Sequence, residues 1–351
     1  MNIIQVVSRY PPWTGGLETH MKAICERLAD RGHDVTVVTA DAADGIPSRE
    51  TRNGVEVVRH RGFDPGGAFH IAPGILRTLR RIDGDIMHGH NYHSLPLFFA
   101  AISAQETPFV ATPHYHGGSG SSFRDRLLSL YRPVGGWALR NADAVVAVSD
   151  WEREQLAADF GAETTVIPNG IEVDRFRQSD PKEHPRPYLV TVGRLKEYKG
   201  VQHVIRALSE LPEFDLLVAG TGPYRDELER IAEREAVRDR VTFLGYVDDD
   251  EIPGLYAGAA TYVTLSSFEA YGITVAESLA AGTPCVVRER GALANWIHRA
   301  DCVSVSNVSP PTVARAVRDV VDRETDPTTL PTWDDAVDAL EEQYRAQSTS
   351  L

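Results

Sequence analysis

Residues 188–220, YLVTVGRLKEYKGVQHVIRALSELPEFDLLVAG, decide the fold of this chain. The apolar run at 188–193 predicts a buried strand, and the run at 215–220 predicts a second one. Between them, residues 200–211 have the spacing of an amphipathic helix. A strand, a helix and a second buried strand form the unit from which parallel sheets are built.

The same alternation continues on both sides of this unit. Toward the C-terminus, helical patterns at 224–235 and 274–282 separate short apolar runs at 240–245, 260–266 and 284–288. Toward the N-terminus, a helical pattern covers 17–32, and β-branched runs occur at 2–8, 34–40, 54–60, 85–90, 108–114, 143–149 and 164–170. The chain is therefore predicted to be an α/β protein with parallel sheets.

A charged, proline-rich connector at 179–187 interrupts the pattern and is typical of a domain boundary. We expect one domain over 1–178, a second over 179–331 and a closing helix over 332–351. The apolar face of that helix would carry Trp333, Ala336, Leu340 and Tyr344. Two facing Rossmann-like, doubly wound domains would place the carboxyl ends of both sheets on one cleft, where such sheets bind ligands.

The amino-acid composition argues against nucleic acid as a binding partner and indicates a protein adapted to concentrated salt. The 351 residues carry a formal net charge of −14, which disfavours nucleic acid because phosphate contacts need clustered basic side chains. Lysine occurs only at Lys22, Lys182, Lys196 and Lys199. Many carboxylates with so little lysine indicate a protein that stays hydrated in concentrated salt, as in halophilic archaea, although a GC-rich genome would also favour arginine.

The sequence predicts a cytoplasmic location. No apolar run has the length of a membrane span, and the start, MNIIQVVSRYPPW, lacks the segments of a signal peptide. The chain has three cysteines, Cys25, Cys285 and Cys302. Because their number is odd and no two form a CxxC pair, we expect reduced thiols.

Segment 122–140 leaves peripheral membrane contact open. An apolar stripe at helical spacing comprises Phe123, Leu127, Leu130, Tyr131 and Val134. Four arginines accompany it in an otherwise acidic chain: Arg124, Arg126, Arg132 and Arg140. Such a helix either rests on anionic lipid at the cytoplasmic face of a membrane or packs its stripe into the first domain.

The loop at 193–200 is the first candidate binding loop of the second half. It presents Arg194 and Lys199 after a predicted strand and just before a helix. Two cations and a helix N-terminus can hold a diphosphate, and the alternative is a solvated loop with ordinary surface charges.

Two further loops carry weaker signals. Gly222 lies in a tight turn that lets a ligand approach the backbone, or that only starts a helix. Tyr246 and Val247 follow another strand, where backbone groups can contact a flat base.

The loop at 266–277, SSFEAYGITVAE, carries the strongest signal. Gly272 allows a turn that directs free amides of Gly272, Ile273 and Thr274 towards an anion. Glu269 before the helix and Glu277 within it are suited to accept hydrogen bonds from hydroxyl groups, one on a sugar and one on a ribose. The alternative has Glu277 as a helix-dipole partner and Glu269 as a solvated side chain.

Histidines gather in two segments, MHGHNYH at 87–93 and TPHYH at 112–116. They are His88, His90, His93, His114 and His116. An HxH pair after a strand resembles the ligand clusters of zinc hydrolases. Because no HExxH motif or cysteine pair accompanies it, we expect no metal here.

The motifs VGRLKEYKG, LVAGTGP, FLGYV and FEAYGITVAESLAAGTPCVV resemble, in order, the donor-domain motifs of retaining glycosyltransferase family 4, which has the GT-B fold. The first half is similar to the same family in SRYPPWTGGLETH, MHGHN, TPHYH, AVVAVSDWEREQL and VIPNGIEVDRF. The resemblance covers nearly the whole chain, and its Glu-x7-Glu element is Glu269 and Glu277. Ala270 and Tyr271 depart from the Glu-Gly-Phe-Gly loop that the family often has.

The resemblance implies roles for these residues. Arg194 and Lys199 would bind the donor diphosphate, Glu269 would contact the transferred sugar, and Glu277 would contact the ribose. The Gly15-Gly16 loop would close over the donor from the acceptor domain. The resemblance also places His114 at the sugar, near the reacting carbon, and His88 and His90 at the cleft floor.

The activity that the resemblance implies is that of a retaining hexosyltransferase. It would move a sugar from a nucleoside diphosphate sugar to a hydroxyl of an acceptor, either a glycan or a lipid-linked sugar. No cofactor or metal would be needed, since protein cations and amides stabilise the leaving diphosphate. A GT-B sugar-nucleotide epimerase and a zinc-dependent hydrolase built on the histidines are the alternatives.

Overall fold

The structure, a computed structural model, describes residues 1–63, 70–117 and 122–348, without the side chains of residues 122–125 and 127. The chain divides into two compact units. The first combines Met1–Asn169 with Trp333–Leu351, and the second is Gly170–Thr332.

The first unit is built on an eight-stranded sheet. Its strands are β1 (Asn2–Val7), β2 (Asp34–Thr39), β3 (Arg49–Arg52), β4 (Val55–Arg59), β5 (Ile86–His90), β6 (Phe109–Thr112), β7 (Ala144–Ala147) and β8 (Thr165–Val166). The order is β3-β4-β2-β1-β5-β6-β7-β8, and every neighbouring pair is parallel except β3 with β4. The predicted parallel sheet is confirmed by this pairing, and most residues of its inner strands β1, β2, β5 and β6 are buried.

Helices accompany this sheet along the chain. They are α1 (Gly16–Asp30), α2 (Gly74–Leu79), α3 (Leu95–Ser103), α4 (Ser122–Arg140) and α5 (Asp150–Phe160). Side chains cap the start of α5: the Ser149 hydroxyl accepts a hydrogen bond from the Glu152 amide at 3.1 Å, and the Glu152 carboxylate accepts one from the Val148 amide at 2.7 Å.

The second unit has a six-stranded, all-parallel sheet. Its strands are β9 (Tyr188–Val192), β10 (Asp215–Ala219), β11 (Val241–Gly245), β12 (Thr261–Thr264), β13 (Cys285–Arg288) and β14 (Cys302–Val305). The order is β11-β10-β9-β12-β13-β14. Its helices are α6 (Val173–Arg177), α7 (Val201–Ala207), α8 (Arg225–Arg234), α9 (Ile252–Ala257), α10 (Ile273–Ala280) and α11 (Pro310–Val320).

The last helix, α12 (Trp333–Ser348), belongs to the first unit and packs against α1. Its predicted apolar face is buried. The hydroxyl of Tyr344 accepts a hydrogen bond from Nε2 of Gln5 at 3.1 Å and forms a second one with Nδ1 of His88 at 2.6 Å. These bonds attach the end of the chain to β1 and β5.

The predicted boundary at 178/179 is wrong, since the division falls at Asn169/Gly170. Ile171 forms a bridge with Thr332, and Phe176 packs in the core of the second unit beside Tyr256. The proline-rich connector also lies inside the second unit, where the amide of Lys182 bonds to the carbonyl of Gly254 at 2.8 Å. The closing helix is therefore part of the first unit and not a separate domain.

The predicted apolar stripe on segment 122–140 is partly corrected. Tyr131 is buried in the first unit, whereas Leu130, Val134 and Trp137 are exposed by 73%, 37% and 41%. The side chains of Phe123, Arg124 and Leu127 lie outside the described residues. Among the helices in the described part of the chain, none is long and apolar enough to cross a membrane.

Candidate active site

A pocket opens at the carboxyl ends of β9 and β12 in the second unit. Arg194 and Lys199, from the loop after β9, line it together with Glu269 from the loop after β12. Thr264 and Tyr262, both on β12, also line it. The sequence predicted all three charged residues here, because parallel strands end at one edge of a sheet.

Lys199 and Glu269 form an ion pair inside this pocket. Nζ of Lys199 lies 2.6 Å from Oε1 of Glu269. Burial favours the neutral amine, but the Glu269 charge and hydrogen bond outweigh it, so the pKa of Lys199 lies above its usual value. Lys199 is therefore a fixed cation, and Glu269 is held by it rather than solvated.

Arg194 brings a second positive charge to the same pocket. It is exposed, and its charge acts on Lys199 in the direction that opposes protonation. Two cations that share a pocket wall favour an anion with more than one negative charge.

The turn at Gly272 begins α10 as predicted. Gly272 has φ 93°, a left-handed conformation that favours glycine, and directly precedes the first helical residues, Ile273 and Thr274. The Thr274 hydroxyl accepts a hydrogen bond from the Tyr262 hydroxyl at 2.7 Å, and the Trp296 indole donates one to the Tyr271 carbonyl at 2.9 Å. The turn is thus held by side chains from two other elements.

Glu277 lies in the middle of α10 and is not a solvated helix residue. Its carboxylate accepts a hydrogen bond from the Tyr256 hydroxyl at 3.2 Å. Burial raises the pKa of Glu277 to about 7, although the Tyr256 hydrogen bond and the Arg175 charge act to lower it. A carboxyl that changes charge near neutral pH is suited to a polar contact with a ligand.

The weaker candidates have different environments. A Cβ on Gly222 would lie 2.3 Å from the carbonyl oxygen of Leu195, so close packing between two loops already requires a glycine there. Tyr246 is exposed by 58%, while Val247 packs partly against the core of the second unit.

The remaining predicted residues lie in the first unit. Gly16 begins α1 directly after Gly15. His114 follows β6 with φ 48°, an uncommon conformation for a residue with a side chain. Such an outlier is typical of functional loops.

The histidines are not grouped as the HxH motif suggested. Both nitrogens of His88 are hydrogen-bonded, to Tyr344 and to Thr112, and His93 stacks on His116 with ring centroids 4.0 Å apart. His90 and His114 instead meet His20 of α1, which the sequence did not single out.

Three other functional candidates escaped the sequence analysis. The Tyr256 hydroxyl bonds to Glu277, and the Tyr262 hydroxyl bonds to Thr274. The Glu152 carboxylate accepts hydrogen bonds from the amides of Val148 and of Tyr115, the residue after His114. Only Glu152 had a local signal, the capping-box spacing from Ser149.

Comparison with protein families identifies the two halves separately. The sequence model described as Glycosyltransferase Family 4 matches residues 14–175. The model described as Glycosyl transferases group 1 matches residues 172–330.

Several curated relatives match along most of the chain. An uncharacterised glycosyltransferase of Methanocaldococcus jannaschii is 29% identical over an alignment that covers 90% of this chain and 88% of the relative. Glycogen synthase of Mycobacterium tuberculosis is 31% identical over an alignment that covers 92% of this chain and 86% of the enzyme. The GDP-mannose-dependent alpha-(1-6)-phosphatidylinositol monomannoside mannosyltransferase of Mycolicibacterium smegmatis is 28% identical, over 82% of this chain and 81% of that enzyme.

Solved structures share the fold. Sucrose-phosphate synthase from Thermosynechococcus elongatus superposes with a TM-score of 0.81 at 19% identity and covers both chains completely. Anabaena HepE, in complex with UDP and glucose, superposes with a TM-score of 0.78 at 18% identity over 99% of this chain and 100% of its own.

The two parallel-sheet units and these structural neighbours define the GT-B fold. The chain belongs to the glycosyltransferase family 4 proteins, the glycosyl transferases group 1, and is a transferase of class EC 2.4.

Proposed function

We propose that this glycosyltransferase takes a sugar from a nucleoside diphosphate donor and passes it, with retention of anomeric configuration, to an acceptor hydroxyl. The observation that carries the proposal is the pocket in which Arg194, Lys199 and Glu269 meet at the carboxyl ends of β9 and β12. A relative that uses GDP-mannose and a structural neighbour that holds UDP with glucose support a donor of this class.

The donor diphosphate would lie against Arg194 and Lys199, with the amides of Gly272, Ile273 and Thr274 completing its contacts. Negative charge grows on the diphosphate as the bond to the sugar breaks. Fixed cations and amides stabilise that charge without reorganising, so the step needs no metal ion.

The two glutamates would divide the rest of the donor. Glu269, oriented by Lys199, would accept a hydrogen bond from a hydroxyl of the transferred sugar, and Glu277 would accept one from the ribose. Tyr246 and Val247 would contact the base, and Gly222 would keep the neighbouring loop close.

Residues of the first unit would contact the sugar part of the donor. The Gly15-Gly16 turn would cover the donor, and His114 would accept or donate a hydrogen bond near the reacting carbon. Retention would follow from attack on the face that the diphosphate leaves, with a diphosphate oxygen taking the acceptor proton. The product then carries the donor's anomeric configuration, which proton NMR of the product reads directly.

The acceptor class that we favour is a lipid-linked sugar or polyprenyl phosphate. The exposed apolar stripe of Leu130, Val134 and Trp137 has spacing that places all three on one face of α4. Exposed arginines flank it, as an anionic lipid surface would require. The mycobacterial relative is named for a phosphatidylinositol-linked acceptor.

Thermal stabilisation by a panel of nucleotide sugars tests the donor assignment. The panel pairs UDP-, GDP- and ADP-sugars with their free nucleosides. A donor at 100 times its dissociation constant adds about 2.7 kcal/mol of stability. Stabilisation by none of the diphosphates would overturn the proposal, and conversion of the donor to its epimer without acceptor would favour the epimerase.

A further inference from the structure

Three imidazoles converge inside the first unit from three different elements. His20 comes from α1, His90 ends β5, and His114 follows β6. One ring nitrogen of each lies within 4.8 Å of the other two. Their ring centroids are 4.8 Å (His20–His114), 5.7 Å (His20–His90) and 5.9 Å (His90–His114) apart. Rings bound to one tetrahedral zinc ion have centroids about 5 Å apart, so the spacing suits a shared ion.

Hydrogen bonds on the far side of two rings set which nitrogen carries the proton. Nδ1 of His20 lies 2.8 Å from Oδ1 of Asn169, and Nε2 of His90 lies 2.7 Å from Oε1 of Gln5. Amide oxygens only accept, so both of these ring nitrogens donate.

The opposite nitrogens of His20 and His90 therefore present lone pairs. Nε2 of His20, Nδ1 of His90 and Nε2 of His114 are buried and have no hydrogen-bond partner among the residues that the structure describes. Buried polar atoms in proteins nearly always have a partner, so three in one place need an explanation. A histidine that binds metal almost always donates its other ring N–H to an oxygen, as His20 and His90 do here.

We propose that His20, His90 and His114 bind one divalent transition-metal ion, of the class of Zn²⁺ or Co²⁺. Three imidazole nitrogens select such ions over Mg²⁺ and Ca²⁺, which prefer oxygen ligands. His114 is half-buried whereas the other two rings are buried, and three imidazoles leave the fourth coordination position for water.

The neighbouring ring of His88 agrees with this assignment. It uses both nitrogens for Tyr344 and Thr112 and is not available as a ligand.

An ion at this site would act against sugar transfer rather than in it. It would occupy the Nε2 lone pair of His114, so that nitrogen could not also contact the donor sugar. This inhibitory effect rests on the proposed function, whereas the binding of the ion does not.

The test measures ion binding in the absence of any nucleotide sugar. Chelator-treated full-length protein is titrated with Zn²⁺ by calorimetry and with Co²⁺ by visible absorption. The critical variant is His114→Asn, because asparagine tolerates the left-handed backbone at this position. His298→Ala, which removes an exposed histidine of the second unit, is the matched control.

We expect one ion per chain and the intense visible bands of tetrahedral Co²⁺ in the wild type and in the control. His114→Asn should weaken binding by at least about tenfold, in line with the loss of a ligand contact. No binding by the wild type, or equal binding by His114→Asn, would overturn the site. His20→Asn provides the same comparison if circular dichroism shows that the first variant is unfolded.

Inhibition of transfer by Zn²⁺ is a separate readout. If the wild type binds Zn²⁺ yet shows no transferase activity with any donor, the metal site stands and the proposed function fails. If transfer occurs and the wild type binds no ion, the proposed function stands and the metal site fails.

Discussion

Nζ of Lys199 lies 2.6 Å from Oε1 of Glu269, a residue seventy positions later in the chain. The pair joins the loop after β9 to the loop after β12, so substituting either residue also releases the other. The effects of substituting Lys199 and Glu269 are therefore expected to be coupled rather than additive.

We predict that Arg194→Ala and Lys199→Ala weaken binding of nucleoside diphosphates much more than binding of free nucleosides. Each removes a charge-assisted contact worth about 1.5–3 kcal/mol. Calorimetry with both ligands measures this difference, and Lys182→Ala, an exposed lysine of the same unit, serves as the control. Equal losses for diphosphate and nucleoside would contradict the assignment.

We predict that Glu269→Gln mainly lowers kcat, whereas Glu277→Gln mainly raises the donor KM. The first contact strengthens as the sugar develops positive charge, and the second is the same before and during reaction. Steady-state kinetics with the best donor measures both constants. The opposite pattern would mean that the two roles are exchanged.

We predict that the donor KM rises several-fold as the pH falls from 8 to 6. The pKa of Glu277 is about 7, so its carboxylate is present above this pH and is lost by protonation below it. The groups that act on the same carboxyl are Tyr256, Arg175 and Asp249. Glu277→Gln should remove the pH dependence, while Glu269→Gln should keep it.

We predict that exhaustive chelation leaves transfer at its full rate, because Arg194 and Lys199 supply the charge at the diphosphate. Activity before and after dialysis against a chelator is the measurement. A loss of activity that zinc or magnesium restores would place a metal in the reaction itself.

We predict that the protein floats with anionic liposomes and not with neutral ones. The expected cause is the exposed stripe with its flanking arginines, so Leu130→Ser and Arg126→Ser should each reduce flotation several-fold. Arg315→Ser, at an exposed position of α11, is the matched control. No flotation of the wild type at moderate salt, or equal flotation of all variants, would indicate a soluble acceptor.

The parallel sheets could be predicted from the sequence because their strands are buried on both faces and read as short apolar runs. Strand β3 could not, since Arg49–Arg52 is a polar edge strand that pairs antiparallel with β4. Asn53, with φ 47°, and the glycine after it form a hairpin turn that was the available signal. The domain boundary was misplaced because proline content marks a stiff segment and not which core that segment packs on.

The charged residues of the candidate site could also be predicted from the sequence. Arg194, Lys199 and Glu269 follow parallel strands, and topology alone places such loops at one edge. The approach of His20 to His90 and His114 could not be predicted, because it depends on how α1 packs against β2, β4 and α12. The Tyr256 contact that accompanies the raised pKa of Glu277 depends on packing in the same way.

The hydrogen bonds of Tyr344 to Gln5 of β1 and His88 of β5 bear on the order in which the two units fold during synthesis. During translation, the second unit is contiguous and leaves the ribosome complete while the first still lacks its last helix. Gln5 and His88 emerge early, yet their hydroxyl partner arrives only after the whole inserted unit has been synthesised. The first unit therefore matures last, although its sheet is the first part of the protein to be translated.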